Sequence, residues 1–272
     1  MKILKYLTKL IITLSICVGE VWAGDVEDAD AALLKKDYVT ALKKYKSAAV
    51  KNDAYAQVQV GNFYNSNSYG VVQDYAEAVR WYKLAAAQGI SYAQYNLGSM
   101  YANGQGVVQD YAEAVRWYKL AAAQGDAKAQ YHLGLMYSNG QGVIQDYGEA
   151  VRWYKLAAAQ GHASAQFNIG AMYDNGQGVV QDYAEAVRWY KLAAAQGISY
   201  AQYNLGLMYD NGQGVLQNNV QAHMWFNIAA VKGAENAVKN RDIAASKMTA
   251  EQIGQAQRLA KECQARNYKN CD

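Results

Sequence analysis

The stretch Asp110–Gly125, DYAEAVRWYKLAAAQG, decides the fold because it recurs through the chain. Nearly the same sequence stands at 74–89, 146–161 and 182–197, and a more divergent copy stands at 218–233. The tryptophans of the five copies follow one another at intervals of 36 residues: Trp81, Trp117, Trp153, Trp189 and Trp225. A fixed period of this length is typical of a solenoid, in which stacked units share a continuous core.

Each period predicts two helices joined by a loop. Residues 91–102 place Ala93, Leu97 and Tyr101 on one face at helical spacing, and we name this first helix of the repeat helix A. The loop that follows, NGQGV at 103–107, contains two glycines that can adopt conformations closed to other residues. Because the chain has no proline, its helices must end at glycine, asparagine or aspartate.

The second helix, helix B, is expected to begin after Asp110, a good N-cap residue. Glu113 lies three residues later and predicts a capping box, in which its side chain returns to the N-cap amide. The expected buried face carries Ala114, Trp117, Tyr118 and Ala121. Gly125 suits the left-handed position that ends many helices. Arg116 follows Glu113 by three residues, so we expect ion pairs on the outer face.

The two ends of the chain differ from the repeats, as the caps of a solenoid do. We assign residues 24–53 to an N-terminal capping helix pair, 54–233 to five repeats, and 234–272 to C-terminal capping helices and a tail. In the first cap Lys44 replaces the repeat tryptophan, which suits a helix with one uncovered face. The sequence therefore predicts an all-α solenoid of about seven helix pairs.

Residues 1–23 have the pattern of a secretory signal peptide. A basic start is followed by nine apolar residues at 10–18, and Val21-Trp22-Ala23 offers a cleavage site. The alternative is a membrane anchor, but a spanning helix needs about 20 apolar residues. We expect a periplasmic or secreted protein, with no integral membrane segment after cleavage.

The charge balance argues against a nucleic-acid partner. The chain has 26 basic and 23 acidic residues, and cleavage after Ala23 would leave 23 and 22, a net charge of +1. A nearly neutral chain lacks the basic surface that nucleic acids require.

Two cysteines would remain, Cys263 and Cys271. In an oxidising compartment, an isolated pair eight residues apart at a chain end is expected to form a disulfide. A free or metal-bound pair is the alternative, although no nearby histidine could complete a metal site.

No sequence motif indicates an active site. The chain has no S-x-x-K, G-x-S-x-G, H-E-x-x-H or P-loop pattern. Its histidines, His132, His162 and His223, stand at unrelated positions of different repeats, whereas a metal requires converging ligands. We therefore expect neither an enzyme nor a cofactor.

The repeat consensus, A-x-Y-x-L-G-x-x-Y-x-x-G-x-G-V followed by D-x-x-x-A-x-x-W-Y-x-x-A-A, resembles the Sel-one-like repeat. The resemblance covers roughly 54–245, with one extra residue between Tyr64 and Val71. It implies a tetratricopeptide-related, right-handed superhelix whose helices A line the concave side. It also implies an exported bacterial adaptor that holds another protein.

The repeats differ from one another mainly in helix A. Four positions, 92, 96, 99 and 102 with their equivalents, lie 4, 3 and 3 residues apart and so share one helical stripe. We name the candidate binding residues among these positions, together with the aromatic residues that border them, the variable stripe. It comprises Tyr92, Tyr95, Asn96, Ser99, Lys128, Tyr131, His132, Leu135, Phe167, Asp174, Tyr200, Tyr203, Leu207 and Asp210.

Variation concentrated in helix A predicts that the variable stripe binds an extended or helical segment of another protein, and we expect this chain to be a monomer. Neutral drift is the alternative, yet drift would also alter the outer face of helix B, where Arg116 and its equivalents in the four full copies are unchanged. Two other functions remain open. Cysteine-rich relatives bind or slowly hydrolyse β-lactams, but they carry a cysteine pair in each repeat, and self-association would give a structural envelope protein.

Overall fold

The computed structural model describes residues 24–231 and 235–271. The predicted signal peptide lies outside the described residues. The helices are α1 (24–34), α2 (Tyr38–Ala49), α3 (Ala54–Asn65), α4 (Tyr75–Ala87), α5 (Ser91–Asn103), α6 (Tyr111–Ala123), α7 (Ala127–Asn139), α8 (Tyr147–Ala159), α9 (Ala163–Asn175), α10 (Tyr183–Ala195), α11 (Ser199–Asn211), α12 (Asn219–Ala230), α13 (Glu235–Ser246) and α14 (Ala250–Ala265).

These fourteen helices, with no strand in the described ranges, confirm the all-α prediction of about seven helix pairs. The chain divides into two compact units, Met1–Asp126 and Ala127–Asp272. In each, odd-numbered helices of the repeats are helices A and even-numbered helices are helices B. The extra residue of the first repeat is accommodated by a short 3₁₀ turn at Asn67–Tyr69.

Each repeat starts helix B with the predicted N-cap, but without the predicted capping box. The Asp110 side chain accepts a 3.0 Å hydrogen bond from the Glu113 amide. The Asp110 amide already donates to the Tyr101 carbonyl at 3.0 Å, so it does not donate to the Glu113 side chain. Glu113 instead pairs with Arg116 at 2.6 Å on the outer face. The loop thus fixes the helix start and releases the glutamate for an ion pair.

The two helices of a repeat pack closely because a helix A glycine faces a helix B ring. In the first unit Gly98 lies under Tyr118, and a Cβ on Gly98 would stand 2.6 Å from the ring. In the second unit Gly170 lies under Tyr190 in the same way, again with 2.6 Å to a hypothetical Cβ. Both rings are almost fully buried. Glycine therefore sets the spacing between helices A and B.

A buried glutamine joins consecutive repeats. Gln94 donates its side-chain amide to the Ala86 carbonyl of the preceding helix B at 3.2 Å. It accepts a 2.8 Å bond from Gln124, at the end of its own repeat. Gln166 makes the equivalent bonds in the second unit, to Ala158 at 3.3 Å and from Gln196 at 2.8 Å. Each bond satisfies a polar group that burial would otherwise leave unpaired.

Ion pairs and a disulfide close the ends of the fold. Asp25 of α1 contacts Lys44 at 3.2 Å and Lys51 at 3.1 Å, so the lysine in the tryptophan position serves the cap. Hydrogen bonds from Ser47, Lys51 and Lys44 lower the pKa of Asp25 to about 2. At the other end a disulfide joins Cys263 of α14 to Cys271, with 5.0 Å between their Cα atoms.

Candidate functional site

In the first unit the variable stripe lies along α5. Tyr92 is 45% exposed, and its hydroxyl donates a 3.2 Å hydrogen bond to Asn62 on the neighbouring helix A, α3. Asn96 and Ser99 follow on the same side and are half-buried. The Tyr95 ring packs against Tyr118 of helix B, with 6.0 Å between centroids. This helix therefore presents one exposed tyrosine above partly buried polar groups.

In the second unit the variable stripe begins on α7. Lys128 is exposed, whereas Tyr131, His132 and Leu135 are half-buried. The Tyr131 ring stacks on His162 at 4.5 Å and contacts Tyr154 at 5.9 Å. His162 also caps α9 by accepting a hydrogen bond from the Ala165 amide. Tyr131 is thus held in place by the helix A that follows it.

The stripe continues on α9 and α11 of the second unit. The Phe167 ring contacts Tyr190 at 5.8 Å and Tyr200 at 6.2 Å, and Tyr200 is 69% exposed. Tyr190 donates its hydroxyl to Asp174 at 3.2 Å. The rings therefore form a continuous path from exposed Tyr200 to the Asp174 carboxylate.

The last part of the stripe is partly covered by α13. Tyr203 packs on Phe226 at 5.7 Å and accepts a 3.0 Å hydrogen bond from Asn240. Leu207 packs into the cluster that contains Phe226 and Ala244. Asp210 forms a 2.7 Å ion pair with Lys247, which follows α13.

Two classes of stripe residue can therefore be distinguished at two of the repeat positions. The bordering aromatic residues rest on the buried ring of helix B in their own repeat and are partly structural: Tyr95, Tyr131, Phe167 and Tyr203. One position near the start of helix A carries exposed residues of different chemistry in three repeats, Tyr92, Lys128 and Tyr200, whereas Ser164 of α9 is half-buried there. The exposed residues of the second class can contact a ligand of varied shape and charge.

One residue of this second class, Tyr55, escaped the comparison of repeats. It occupies the position of Tyr92 in the first repeat, is 48% exposed, and donates to Asp30 at 3.2 Å. The extra residue in that repeat shifts the 36-residue register by one. Aligning the repeats on their glycines with a gap would have revealed it.

Burial shifts the pKa of two ionisable groups, one on the stripe and one in the last repeat. It raises the pKa of Asp174, and the hydrogen bond from Tyr190 only partly offsets this effect. Burial also lowers the pKa of His223, with the positive charge of Arg241 acting in the same direction. Within the described ranges, no three histidine, cysteine or acidic side chains cluster as metal ligands would.

The loops carry a second set of exposed residues. Each repeat has one aliphatic residue directly before its Gln-Asp or Gln-Asn, and these are 86–91% exposed: Val72, Val108, Ile144, Val180 and Leu216. None of the described helices has the length and apolar character needed to cross a membrane.

Comparison with solved structures finds the same architecture in one bacterial protein and a weaker similarity in another. A Sel1 repeat protein from Oxalobacter formigenes is 32% identical, with 88% of this chain and 99% of that chain covered and a TM-score of 0.71. A protective antigen of uropathogenic Escherichia coli is 28% identical, with 92% of this chain and 70% of that chain covered and a TM-score of 0.45. No functionally curated protein matches the chain.

The family model described as Sel1 repeat matches five consecutive segments, 54–90, 91–126, 127–162, 163–198 and 199–233. These segments occupy well over half of the chain and agree with the helix pairs. The chain therefore belongs to the Sel1 repeat family.

Proposed function

We propose that this chain is an exported, non-enzymatic scaffold that binds another protein along the variable stripe. Sel1 repeat proteins are generally protein–protein interaction scaffolds, and their fold is typically non-enzymatic. The observation that carries the proposal is the exposure of Tyr92, Lys128 and Tyr200, which occupy one structural position yet differ in chemistry. A purely structural position would be expected to keep one residue type.

The neighbours of the exposed tyrosines favour binding. Tyr92 is oriented by its hydrogen bond to Asn62, and Tyr200 by the Phe167 ring. Aromatic side chains that are already oriented lose little conformational entropy when a partner covers them. They also supply the large contact areas that dominate protein interfaces.

Export rests on the sequence of residues 1–23 and on the disulfide. The basic, apolar and small-residue segments follow in the order of a signal peptide. The Cys263–Cys271 bond suits an oxidising compartment such as the periplasm.

Site-specific cross-linking tests the proposal. A photo-cross-linking amino acid is placed at 92, 128 or 200 in the native host, and matched variants carry it at the exposed loop positions 108, 144 or 180. We expect a shared cross-linked protein from the stripe positions that the loop positions do not yield. Replacing Tyr92, Lys128 and Tyr200 together with alanine should abolish its capture while circular dichroism stays helical. Equal cross-linking from both surfaces would contradict the proposal.

The exposed loop residues favour self-association as a second function. Val108 and its equivalents each place an aliphatic side chain in water, and self-association would bury this apolar surface. Light scattering over a concentration series would detect assemblies. Changing Val108, Ile144 and Val180 to serine should dissolve them, whereas the alanine changes on the stripe should not.

A further inference from the structure

Asp174 and Asp210 occupy the same position in consecutive helices A, but only Asp210 has a cationic partner among the described residues. Lys247 contacts Asp210 at 2.7 Å, and the Asp210 side chain is 19% exposed. The residue 36 positions before Lys247 is Asn211, whose amide donates to Gln213 at 3.3 Å. At the position from which Lys247 of the C-terminal cap reaches Asp210, the repeat that follows Asp174 therefore has the neutral Asn211.

The surroundings of Asp174 suit a cation. Its carboxylate accepts one hydrogen bond, from Tyr190, and a carboxylate has capacity for several more. Aromatic rings lead away from it, since Tyr190 contacts Phe167 and Phe167 contacts exposed Tyr200. A basic side chain can pair with such a carboxylate while its apolar stem lies along the more exposed rings of Phe167 and Tyr200, since Tyr190 itself is buried.

We infer that Asp174 is the site on the variable stripe that receives a lysine or arginine of the partner protein. The inference rests on the proposed function and adds the partner's chemistry. The chain itself provides the precedent, because Lys247 fills the equivalent site at Asp210. Burial raises the pKa of Asp174, as expected for a carboxylate that lacks a cation in the unbound protein. The partner would contribute the charge that this position lacks.

A phage-displayed library of random dodecapeptides provides the probe. Peptides selected on the wild-type protein should share one lysine or arginine. Asp174→Asn keeps the shape of the side chain and the hydrogen bond from Tyr190 but removes the charge. It should lower the affinity of those peptides by roughly tenfold or more. Asp174→Glu should retain part of the affinity. Asp242→Asn, which removes an exposed carboxylate on α13, is the matched control and should leave affinity unchanged.

A double-mutant cycle makes the test specific. Changing the shared basic residue of the peptide to glutamine should lower its affinity for the wild type by about the same tenfold. The same change should have little effect on its affinity for Asp174→Asn. Additive losses would overturn the inference. If peptides lose affinity when Tyr92, Lys128 and Tyr200 become alanine but not with Asp174→Asn, the proposed function survives and the cation site does not. If the wild type selects no peptide, both proposals are contradicted.

Discussion

Tyr190 donates its hydroxyl to Asp174 at 3.2 Å, and this bond links the buried ring of a helix B to the variable stripe on the preceding helix A. The bond holds the carboxylate in a half-buried position. A carboxylate that burial makes harder to ionise costs stability in its charged form. Asp174 is therefore a residue whose charge the fold does not need, which fits a role in binding.

Asp174→Asn should make the protein slightly more stable at pH 7. The folded pKa is raised above the ordinary value of 3.8, so the charged carboxylate destabilises the fold above both pKa values. That cost disappears as the pH falls through the folded pKa. We expect a gain below about 1 kcal/mol at pH 7 and none at low pH. Thermal unfolding of both proteins over this range measures it, and a loss of stability at pH 7 would contradict the assignment.

Gly170→Ala should destabilise the second unit by about 1–3 kcal/mol, because overpacking forces neighbouring groups to move. The new Cβ would stand 2.6 Å from the buried Tyr190 ring. Gly254→Ala in α14 is the control, since its Cβ would meet only Arg258 at 3.6 Å. That change should stabilise its helix by about 0.5–1 kcal/mol. Urea unfolding measures the change in unfolding free energy for each variant. Equal changes would show that the contact between Gly170 and Tyr190 does not restrict the packing of helices A and B.

The N-terminal cap should loosen in acid. The pKa of Asp25 is lowered to about 2 by hydrogen bonds from Ser47, Lys51 and Lys44. A lowered carboxyl pKa contributes stability above the unfolded value of 3.8, and this contribution is lost as the pH falls from there towards 2. Asp25→Asn should therefore be less stable than the wild type at pH 6, with the difference closing below pH 3. Hydrogen exchange of the α1 and α2 amides measures this difference in stability. A difference that stayed constant with pH would exclude the ionised Asp25 as its cause.

The disulfide should stabilise the C-terminal cap. Closing a loop of this length in the unfolded chain is worth about 2 kcal/mol in the chain-entropy account. Reductant should lower the unfolding temperature of the wild type and leave a Cys263→Ser, Cys271→Ser variant unchanged. Exchange protection of α14 should fall in both reduced wild type and variant. A reductant effect that persists in the variant would point to another cause.

Several features of the fold follow from the sequence because they depend on local chemistry. A repeated Asp110 before an apolar helix is an N-cap in any context, and Gly125 accepts a left-handed conformation that few residues tolerate. The prediction of a capping box was wrong because an acceptor nine residues away takes the hydrogen bond of the Asp110 amide. The carbonyl of Tyr101 reaches the Asp110 amide across the loop, which no three-residue pattern reveals.

The buried glutamines were missed for a similar reason. Gln94 reads as a polar, outward residue in a single helix, yet it is buried between Ala86 of one repeat and Gln124 at the end of its own. Its environment exists only after neighbouring helices have packed. The His162 ring likewise gains its stacking partner Tyr131 from an earlier helix.

The sequence by itself determined the repeat, its two helices, their ends and the positions that vary, because each depends on residues within one 36-residue period. Tertiary structure alone decided which variable positions are exposed, as at Tyr92 and Tyr200, and which are covered, as at Leu207. It also decided that Lys247 pairs with Asp210 while Asp174 has only the bond from Tyr190. The physical reason is that burial and charge pairing depend on neighbouring helices, whereas helix formation and capping depend on the chain nearby.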